Sequence, residues 1–417
     1  MKALVVEEKL RRFAAAKVLS AASKQRAIMF GPLKLDEHDP LPLPNEEWIS
    51  VRPRLSGICG SDVSAVLGRS SRYFEPLTSF PFTPGHEVVA DAIIDGVSSR
   101  VVIEPALHCR IRGLPACRWC KLGQTQRCER ILDGSIEPGI QTGYCTSVGG
   151  GWSEEFSAHR SQLHLVPDGL SDEDAVMIEP LACAIHSVLR LDSKNVQSVA
   201  VLGAGTIGLL TVAALRQLHP GIRITCAAKY SHQRSMAMRL GADLVVEPKQ
   251  LVRSARSSTS AMSVGNWQSQ GFDAVFDCVG SESSVTDAIA STTPGGTVVV
   301  SGMPSHMSID LAPLWHREIK LVGSYAYGTE EATESTSGYI SAEAQTGSIV
   351  TENGIRTFDL AISMAQRLKL GALVTHRYGL ENYEEAIRLA AEAGQRGAIK
   401  IAFDPRPRRA REQENRR

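Results

Sequence analysis

The 417-residue sequence lacks an excess of charge of either sign, because 45 acidic side chains balance its 45 basic ones. This balance argues against nucleic acid and against an anionic membrane as the main partner. The first twelve residues, MKALVVEEKLRR, also lack the apolar core of a signal peptide, since Glu7, Glu8 and Lys9 interrupt it. We therefore expect a cytoplasmic protein.

Long apolar stretches are scarce as well. The uncharged run SVAVLGAGTIGLLTVAAL, residues 198–215, approaches the length of a membrane span, but it contains three glycines in a turn pattern. This run therefore predicts a strand followed by a helix, and we expect no membrane partner.

Cysteine is rare, and its few copies are unevenly spread. The chain has nine, of which four lie close together: Cys109, Cys117, Cys120 and Cys128. Because thiols stay reduced in the cytoplasm, clustered cysteines favour metal ligands over disulfides. The unclustered Cys145, Cys226 and Cys278 have no partner spacing, which is typical of packing residues.

The pattern of apolar residues changes along the chain. Residues 1–178 show short apolar bursts between turn signals, which predict a β-rich domain. From 187 to 323 short apolar strands alternate with helices, which predicts an α/β fold with a doubly wound parallel sheet. Residues 329–352 are polar and predict a loop or insertion, and the tail 406–417 has no apolar pattern and predicts disorder.

A glycine-rich turn opens the α/β region. Gly203, Gly205 and Gly208 have G-x-G-x-x-G spacing between a strand and a helix, the context that a dinucleotide site requires. The first glycine permits a tight turn, the second lets the backbone approach a pyrophosphate, and the third lets helix and strand pack closely. The helix start at Thr206 and Ile207 would offer free N–H groups to the phosphates. The alternative is a turn that binds nothing.

The end of the second strand bears on the choice of cofactor. Enzymes that prefer NAD usually place an acidic residue there, and that position falls at Ala228, followed by Lys229. No acidic residue occurs between Gly221 and Arg234. Lys229, with Arg234 or His232, would supply positive charge to a 2′-phosphate. We expect NAD(P) as cofactor with a slight lean to NADP; the alternative is that either cofactor is accepted.

Three sequence segments outside the α/β region carry metal-ligand residue types. Cys59 lies in LSGICGSD, His86 and Glu87 lie in PFTPGHEVVA, and Glu179 lies in MIEPLACAIH. A thiolate, an imidazole and a carboxylate suit a three-ligand zinc site with one open position, the usual catalytic arrangement. On residue types alone, the alternatives are a buried cysteine, a core histidine and a helix-capping glutamate.

Six motifs occur in order over most of the chain: GICGSD, PGHEVVA, EPLACAIH, VLGAGTIGLL, DCVGS and PGGTVVVSG. Together they resemble the zinc-dependent medium-chain dehydrogenase/reductase family, which is alcohol dehydrogenase-like. The Glu-Pro pair at 179–180 resembles the threonine and sorbitol dehydrogenase branch. The resemblance implies the following domains: a GroES-like catalytic domain at 1–186 with a zinc lobe at about 105–130, a Rossmann domain at 187–323, and a return to the catalytic domain at 324–405.

The resemblance also implies roles for particular residues. Cys59, His86 and Glu179 would hold a catalytic zinc, and Glu87 would lie beside the metal as a neighbouring or exchanging carboxylate. Ser61 would take the alcohol proton into a relay. Some relatives carry a histidine three residues further along, where this chain has Ser64, so the relay beyond Ser61 is not specified. Cys183, one helical turn beyond Glu179, is more typical of a packing residue.

The family often carries a second zinc held by four cysteines, with two residues between each of the first three and seven before the fourth. Here Cys117, Cys120 and Cys128 match, but seven residues, RIRGLPA, separate Cys109 from Cys117. This insertion contains a glycine and a proline and is expected to loop out, which leaves a closed structural zinc site. The alternatives are a three-ligand remnant and a redox pair at Cys117 and Cys120.

The resulting hypothesis is a zinc-dependent dehydrogenase that transfers a hydride between a secondary alcohol, polyol or hydroxy amino acid and a nicotinamide cofactor. Its partners would be a small alcohol or carbonyl substrate and further copies of itself, as a homodimer or homotetramer. The alternatives are a binding or regulatory protein of the same fold and a zinc-free quinone or enoyl reductase. The substrate pocket is not specified; the residues suggested for its lining are Arg72, Tyr73, Trp152 and Tyr325.

Overall fold

The structure is a computed structural model that describes residues 1–192, 196–259, 261–264, 267–333, 335–336, 339, 350–351 and 354–414. These residues form two compact units. The first comprises Met1–Glu179 and Ile362–Arg417, and the second comprises Pro180–Ala361.

The strands of the described chain are β1 (Lys2–Val6), β2 (Leu33–Glu37), β3 (Trp48–Gly57), β4 (Val88–Ile94), β5 (Val97–Ile103), β6 (Phe156–His159), β7 (Leu163–Leu165), β8 (Ser198–Leu202), β9 (Arg223–Ala227), β10 (Leu244–Val246), β11 (Ser263–Val264), β12 (Trp267–Gln268), β13 (Phe272–Asp277), β14 (Thr292–Val300), β15 (Lys320–Gly323), β16 (Thr329–Glu330), β17 (Val350–Thr351), β18 (Gly354–Arg356), β19 (Val374–Tyr378) and β20 (Lys400–Phe403).

The α-helices are α1 (Leu10–Ala22), α2 (Lys24–Met29), α3 (Gly60–Val66), α4 (Arg118–Lys121), α5 (Asp172–Ala175), α6 (Ile178–Leu189), α7 (Thr206–Leu218), α8 (Ser231–Arg239), α9 (Leu251–Thr259), α10 (Glu282–Ser291), α11 (Ala312–His316), α12 (Thr357–Leu368), α13 (Tyr383–Ala391) and α14 (Arg408–Glu414). Short 3-10 helices lie at Arg72–Leu77, Thr125–Arg127, Arg160–Gln162, Pro248–Gln250, Leu370–Leu373, Leu380–Asn382 and Ala393–Arg396.

The first unit is built on a seven-stranded sheet with the order β19-β20-β3-β4-β5-β7, in which β6 also pairs with β3. Neighbours β3, β4 and β5 are antiparallel. Alternate residues of these strands, such as Val51, Ala90 and Val101, are fully buried and form one apolar cluster. The side-chain period of two therefore gives this sheet an inward face.

The segment before the first motif, residues 10–45, is helical at its start. Helices α1 and α2 belong to the first unit, where Ala27 and Ile28 share an apolar cluster with Ala386 and Ile387 of α13. A segment near the start of the chain and a helix near its end thus contribute to one core.

The second unit is built on a six-stranded sheet with the order β10-β9-β8-β13-β14-β15. The pairs in this sheet are parallel, and every residue of β8 is buried, as expected for a strand covered by helices on both faces. The predicted doubly wound α/β fold is confirmed. Residues 198–215 form strand β8, a turn and most of α7, and no described helix has the length and apolarity that a bilayer crossing requires.

The second unit is longer than the sequence predicted. It extends from Pro180 to Ala361 rather than from 187 to 323. Two contacts explain the later end: Glu330 of β16 forms an ion pair with His186 of α6, and Ser324 Oγ lies 2.9 Å from Ser187 Oγ.

Two predictions of irregular structure need correction. The polar segment 329–352 is not simply a loop, because β16 and β17 at its ends pair with β18; residues 340–349 lie outside the described chain. The prediction of a disordered tail is wrong for α14. There Arg411 forms an ion pair with Glu381 and donates a hydrogen bond to the Asp404 carbonyl oxygen, so side-chain contacts hold a segment that has no apolar pattern.

Candidate functional site

Two neighbouring strands of the first unit bring a thiol, an imidazole and a carboxylate together. Cys59 follows the end of β3 and caps α3, and His86 and Glu87 directly precede β4. Because β3 and β4 are antiparallel and the Gly57 N–H donates to the Glu87 carbonyl oxygen at 2.8 Å, the two segments lie side by side. The ligand atoms of Cys59, His86 and Glu87 all lie within 4.8 Å of one another. This trio is the candidate catalytic metal centre.

Asp62 contacts two residues of the trio, Cys59 and His86. Its Oδ2 accepts a hydrogen bond from the Cys59 N–H at 3.0 Å, and its Oδ1 lies 3.4 Å from His86 Nδ1. Burial alone would lower the pKa of His86, but the negative charges of Asp62 and Cys59 raise it well above its ordinary value. Metal-bound histidines typically have a carboxylate beside their second ring nitrogen, and Asp62 has that position beside His86.

Tyr144 joins this network from a loop. Its hydroxyl donates to Asp62 Oδ1 at 3.3 Å and also forms a hydrogen bond with Ser61. Burial, followed by the charge of Asp62, raises the pKa of Tyr144 well above its ordinary value. The tyrosine is therefore a neutral hydrogen-bonding group beside Ser61, and no spacing signal in the sequence points to it.

Glu87 has a buried cationic partner that sequence reasoning also missed. Lys400 of β20 forms an ion pair with the Glu87 carboxylate and donates to the Ile58 carbonyl oxygen at 3.3 Å. Burial lowers the pKa of Lys400, but Glu87, Cys59 and Glu179 raise it above its usual value. The signal was present in AIKIAF, where one lysine stands alone in an otherwise apolar strand.

The other predicted residues of this site are placed as follows. Glu179 is buried in the first turn of α6 and close enough to Lys400 to affect its pKa, but it is not part of the compact trio. Its role as third ligand stays a prediction, with Glu87 as the second carboxylate nearby. Ser61 and Ser64 lie in α3, both half-buried.

The four clustered cysteines converge as the lobe prediction requires. Their sulfurs lie within 4.8 Å of one another, and Cys109 Sγ is 3.6 Å from Cys128 Sγ. Tetrahedral zinc with bonds of about 2.3 Å needs sulfurs about 3.8 Å apart, so the set fits a closed four-thiolate site. The Cys120 thiol and the Arg130 N–H lower the pKa of Cys128 to about 5, which favours its thiolate form.

The glycine turn of the second unit leaves no room for a side chain at two of its three glycines. Gly203 has φ of +97°, and a Cβ at Gly208 would lie 1.8 Å from the Gly203 carbonyl oxygen, so neither position accepts a side chain. A Cβ at Gly205 would meet no atom within 4 Å. Because Gly205 is also the N-cap of α7, which starts at Thr206 and Ile207, open space and free N–H groups coincide there.

The residues that bear on cofactor choice lie directly after β9. Ala228 is fully buried and its N–H donates to the Val246 carbonyl oxygen at 2.9 Å. Arg234 donates to the Lys229 carbonyl oxygen at 3.0 Å and lies 3.7 Å from a carboxylate oxygen of Glu247. Lys229 therefore lies in the turn that follows β9, and Arg234 lies in α8 with its side chain reaching back to that turn.

One residue suggested for the substrate pocket is instead part of the core. Trp152 is fully buried, packs edge-on against Phe403 and donates to the Gly57 carbonyl oxygen at 3.3 Å. Its ring belongs to an apolar core cluster and has no exposed surface, so it is a packing residue.

Known proteins with related sequences match nearly the whole chain. The alcohol dehydrogenase GroES-like domain family matches residues 45–168, and the zinc-binding dehydrogenase family matches residues 206–340. D-arabinitol dehydrogenase 1 of Uromyces fabae is 26% identical over 378 residues, which cover 88% of this chain and 92% of that protein. Sorbitol dehydrogenase of Arabidopsis thaliana is 25% identical over 376 residues, which cover 87% of this chain and 90% of that protein.

A solved structure shows the same fold. The crystal structure of 2R,3R-butanediol dehydrogenase from Bacillus subtilis superposes with a TM-score of 0.67 at 21% identity, covering 97% of this chain and 99% of its own. The two family matches follow one another along the chain in the order that the motifs predicted. The chain therefore belongs to the zinc-dependent medium-chain dehydrogenase/reductase family of NAD(P)-linked oxidoreductases.

Proposed function

We propose that the chain is a zinc-dependent dehydrogenase that transfers a hydride between a secondary alcohol and a nicotinamide cofactor. The observation that carries this proposal is the convergence of Cys59 with the buried His86 and Glu87, whose ligand atoms all lie within 4.8 Å of one another. Similarity to proteins named arabinitol and sorbitol dehydrogenase supports a polyol as the substrate class, with a hydroxy amino acid as the second class to test.

The residues present fit the metal that the family implies. Cys59, His86 and Glu179 would hold a zinc ion, which when bound supplies Lewis acidity that lowers the pKa of an alcohol. Asp62 fixes the Cys59 backbone and lies against the His86 ring, so it orients two of the three ligands. Such outer contacts typically matter about 10–100-fold for metal affinity or activity.

Glu179 is proposed as the third ligand because Glu87 already has a buried cation. Lys400 neutralises the Glu87 carboxylate, and moving that carboxylate to a metal would leave the lysine charge uncompensated. We expect Glu179→Gln to lose the catalytic zinc and Glu87→Gln to retain it, measured as zinc content per chain after dialysis. The reverse result would assign the ligand role to Glu87.

Ser61 Oγ is proposed to receive the alcohol proton. Tyr144, whose hydroxyl bonds to both Ser61 and Asp62, would orient the serine hydroxyl and exclude water from its other side. We expect Tyr144→Phe to lower kcat more than it raises KM, since the tyrosine acts through Ser61.

The glycine turn of the second unit is proposed to hold the cofactor, with NADP preferred over NAD. No carboxylate occupies the position of Ala228, and Lys229 and Arg234 follow it. The measurement is kcat/KM with each cofactor in wild type and in Ala228→Asp. A wild type that favours NAD more than about tenfold, or an Ala228→Asp variant with undiminished use of NADP, would contradict the preference.

The test of the whole proposal is a panel of polyols, secondary alcohols and hydroxy amino acids, read by the absorbance of reduced cofactor. Cys59→Ala should abolish turnover and leave a folded protein, whereas Cys145→Ala, which removes a buried thiol outside the trio, should retain turnover. If wild type binds zinc and cofactor but turns over no compound of the panel, the result would favour the alternative function, a binding or regulatory protein of the same fold. A freshly purified protein without metal would favour a zinc-free reductase. The proposed homodimer or homotetramer is checked by sedimentation of the same samples.

A further inference from the structure

The insertion between Cys109 and Cys117 carries a fully buried cation. Arg112 has no exposed surface, although it lies in the seven-residue stretch RIRGLPA that departs from the family spacing. Full burial of a guanidinium is rare unless it is paired, because removing a charge from water is costly. The environment of Arg112 therefore has to compensate a permanent positive charge.

Backbone carbonyls supply the hydrogen bonds. Arg112 Nε donates to the Leu107 carbonyl oxygen at 2.9 Å. The two terminal nitrogens donate at 2.7–3.3 Å to four carbonyl oxygens on the facing loop, those of Asp133, Ile136, Glu137 and Gly139. The side chain thus ties the loop that carries Cys109 to the loop that follows Cys128.

No carboxylate forms an ion pair with Arg112 in the described part of the chain. Burial lowers the pKa of Arg112, and the groups that act in the opposite direction are the sulfurs of Cys145 and Cys128, the carboxylate of Asp133 and the sulfur of Cys109. Two of these three sulfurs belong to the four-cysteine set. Four thiolates around one Zn²⁺ carry a net charge of −2, which is costly where sulfurs are shielded from water, as those of Cys109 and Cys128 are.

We propose that Arg112 is the buried counter-ion of the four-cysteine zinc site, so that its positive charge offsets the excess negative charge of the metal tetrathiolate. The inference rests on the structural zinc proposed above. It explains why the insertion remains inside the lobe: the longer loop brings its own cation to the thiolates. The planar fork of Arg112 also reaches several carbonyls at once while its charge stays fixed, which satisfies the hydrogen bonds of the buried cation.

The experiment compares zinc retention against a chelator in the full-length protein. Arg112→Met removes the charge at similar volume, Arg112→Lys keeps the charge but loses the fork, and Ile111→Ala is the control that loosens the same apolar lobe core without touching charge. We expect zinc affinity at this site to fall about 10–100-fold in Arg112→Met. We expect Arg112→Lys to stay within about threefold of wild type, and Ile111→Ala to lower the melting temperature more than the zinc affinity.

A second arm tests charge directly, by lowering the negative charge of the metal site itself. Cys117→His makes the site less negative by one charge, and three cysteines with one histidine form a common structural zinc site. If Arg112 acts as counter-ion, Cys117→His should cost less zinc affinity in the Arg112→Met background than in wild type, because the less negative site needs the cation less. In the Arg112→Lys background, which keeps the charge, Cys117→His should cost as much zinc affinity as in wild type.

Three outcomes would overturn the inference. Arg112→Met could hold zinc as tightly as wild type, or Arg112→Lys could lose as much zinc affinity as Arg112→Met. The third is that Arg112→Met loses no more zinc affinity than Ile111→Ala. Failure of the underlying zinc proposal is distinguishable. In that case the zinc content per chain of Cys120→Ser would equal that of wild type, whatever the Arg112 variants show.

Discussion

The buried ion pair between Glu87 and Lys400 makes a quantitative prediction about stability. Lys400→Met removes the cation at nearly constant volume and leaves the Glu87 carboxylate enclosed without its partner. Both side chains are about 2% exposed, so water cannot replace the lysine. Breaking such a pair from one side typically costs about 3–5 kcal/mol. For a 417-residue chain, at about 2.1 cal/mol/K of unfolding entropy per residue, that corresponds to a melting temperature lower by roughly 3–6 °C.

The same reasoning predicts a non-additive double variant. Glu87→Gln in the Lys400→Met background removes the stranded charge, so the double variant should be more stable than Lys400→Met alone. Residues in direct contact commonly show interaction energies of about 0.5–3 kcal/mol, and a buried charge pair should lie at the upper end. Lys17→Met, which removes an exposed lysine of the same unit, should change stability by no more than about 0.5 kcal/mol.

The assay is denaturant unfolding after metal removal, because a bound cation would compensate Glu87 in the variants. The five proteins are wild type, Lys400→Met, Glu87→Gln, the double variant and the Lys17→Met control. Melting in the presence of zinc is the companion measurement, and the loss in Lys400→Met should be smaller there. Losses in the two single variants that simply add in the double variant would refute the coupling. A Lys400→Met variant less than about 1 kcal/mol below wild type would refute the view that the pair is buried and ionised.

Three further predictions follow from other parts of the chain. Cys120→Ser should remove one zinc per chain and lower the melting temperature, since a closed thiolate site contributes to folding; an unchanged zinc content by elemental analysis would contradict this. Gly208→Ala places a Cβ 1.8 Å from the Gly203 carbonyl oxygen, so reduced-cofactor binding measured by fluorescence should weaken more than about tenfold, and wild-type affinity would count against the turn geometry. Burial raises the pKa of Asp277 above its ordinary 3.8, although the Val279 N–H acts in the opposite direction, so the folded chain keeps this proton to higher pH than the unfolded chain. Wild-type stability should therefore fall as pH rises from about 4 through the raised pKa, and Asp277→Asn should flatten that slope in unfolding experiments at several pH values; identical slopes would contradict it.

Local patterns in the sequence predicted the second unit well. The buried strand β8, the glycine turn and helix α7 follow one another without interruption, so short-range signals specify both the fold and the position of the turn. The end of the unit was missed because it depends on contacts between distant residues. Glu330 belongs to the unit through its ion pair with His186, and the local sequence around either residue does not predict that ion pair.

The candidate metal centre shows the same limit. Cys59, His86 and Glu179 were named from motifs, but Lys400 and Tyr144 come from segments far away in the chain and reach the site only through the fold. The lysine could be noticed as a lone charge in an apolar strand, whereas the tyrosine carries no signal. Residues that a motif contains are predictable from sequence, and residues that support them from other segments require the topology.

The long spacing between Cys109 and Cys117 has a thermodynamic consequence for how such sites are recognised. The entropy of closing a loop grows only with the logarithm of its length, so a step of eight positions instead of three costs about 0.9 kcal/mol. Zinc binding to a structural thiolate site contributes about 10–16 kcal/mol, which exceeds that cost many times over. The number of residues between two cysteines therefore affects the stability of such a site much less than whether the four sulfurs can meet around the metal. A search for fixed cysteine intervals would overlook this site, and loops of other lengths should be accepted at the same position as long as the sulfurs still meet.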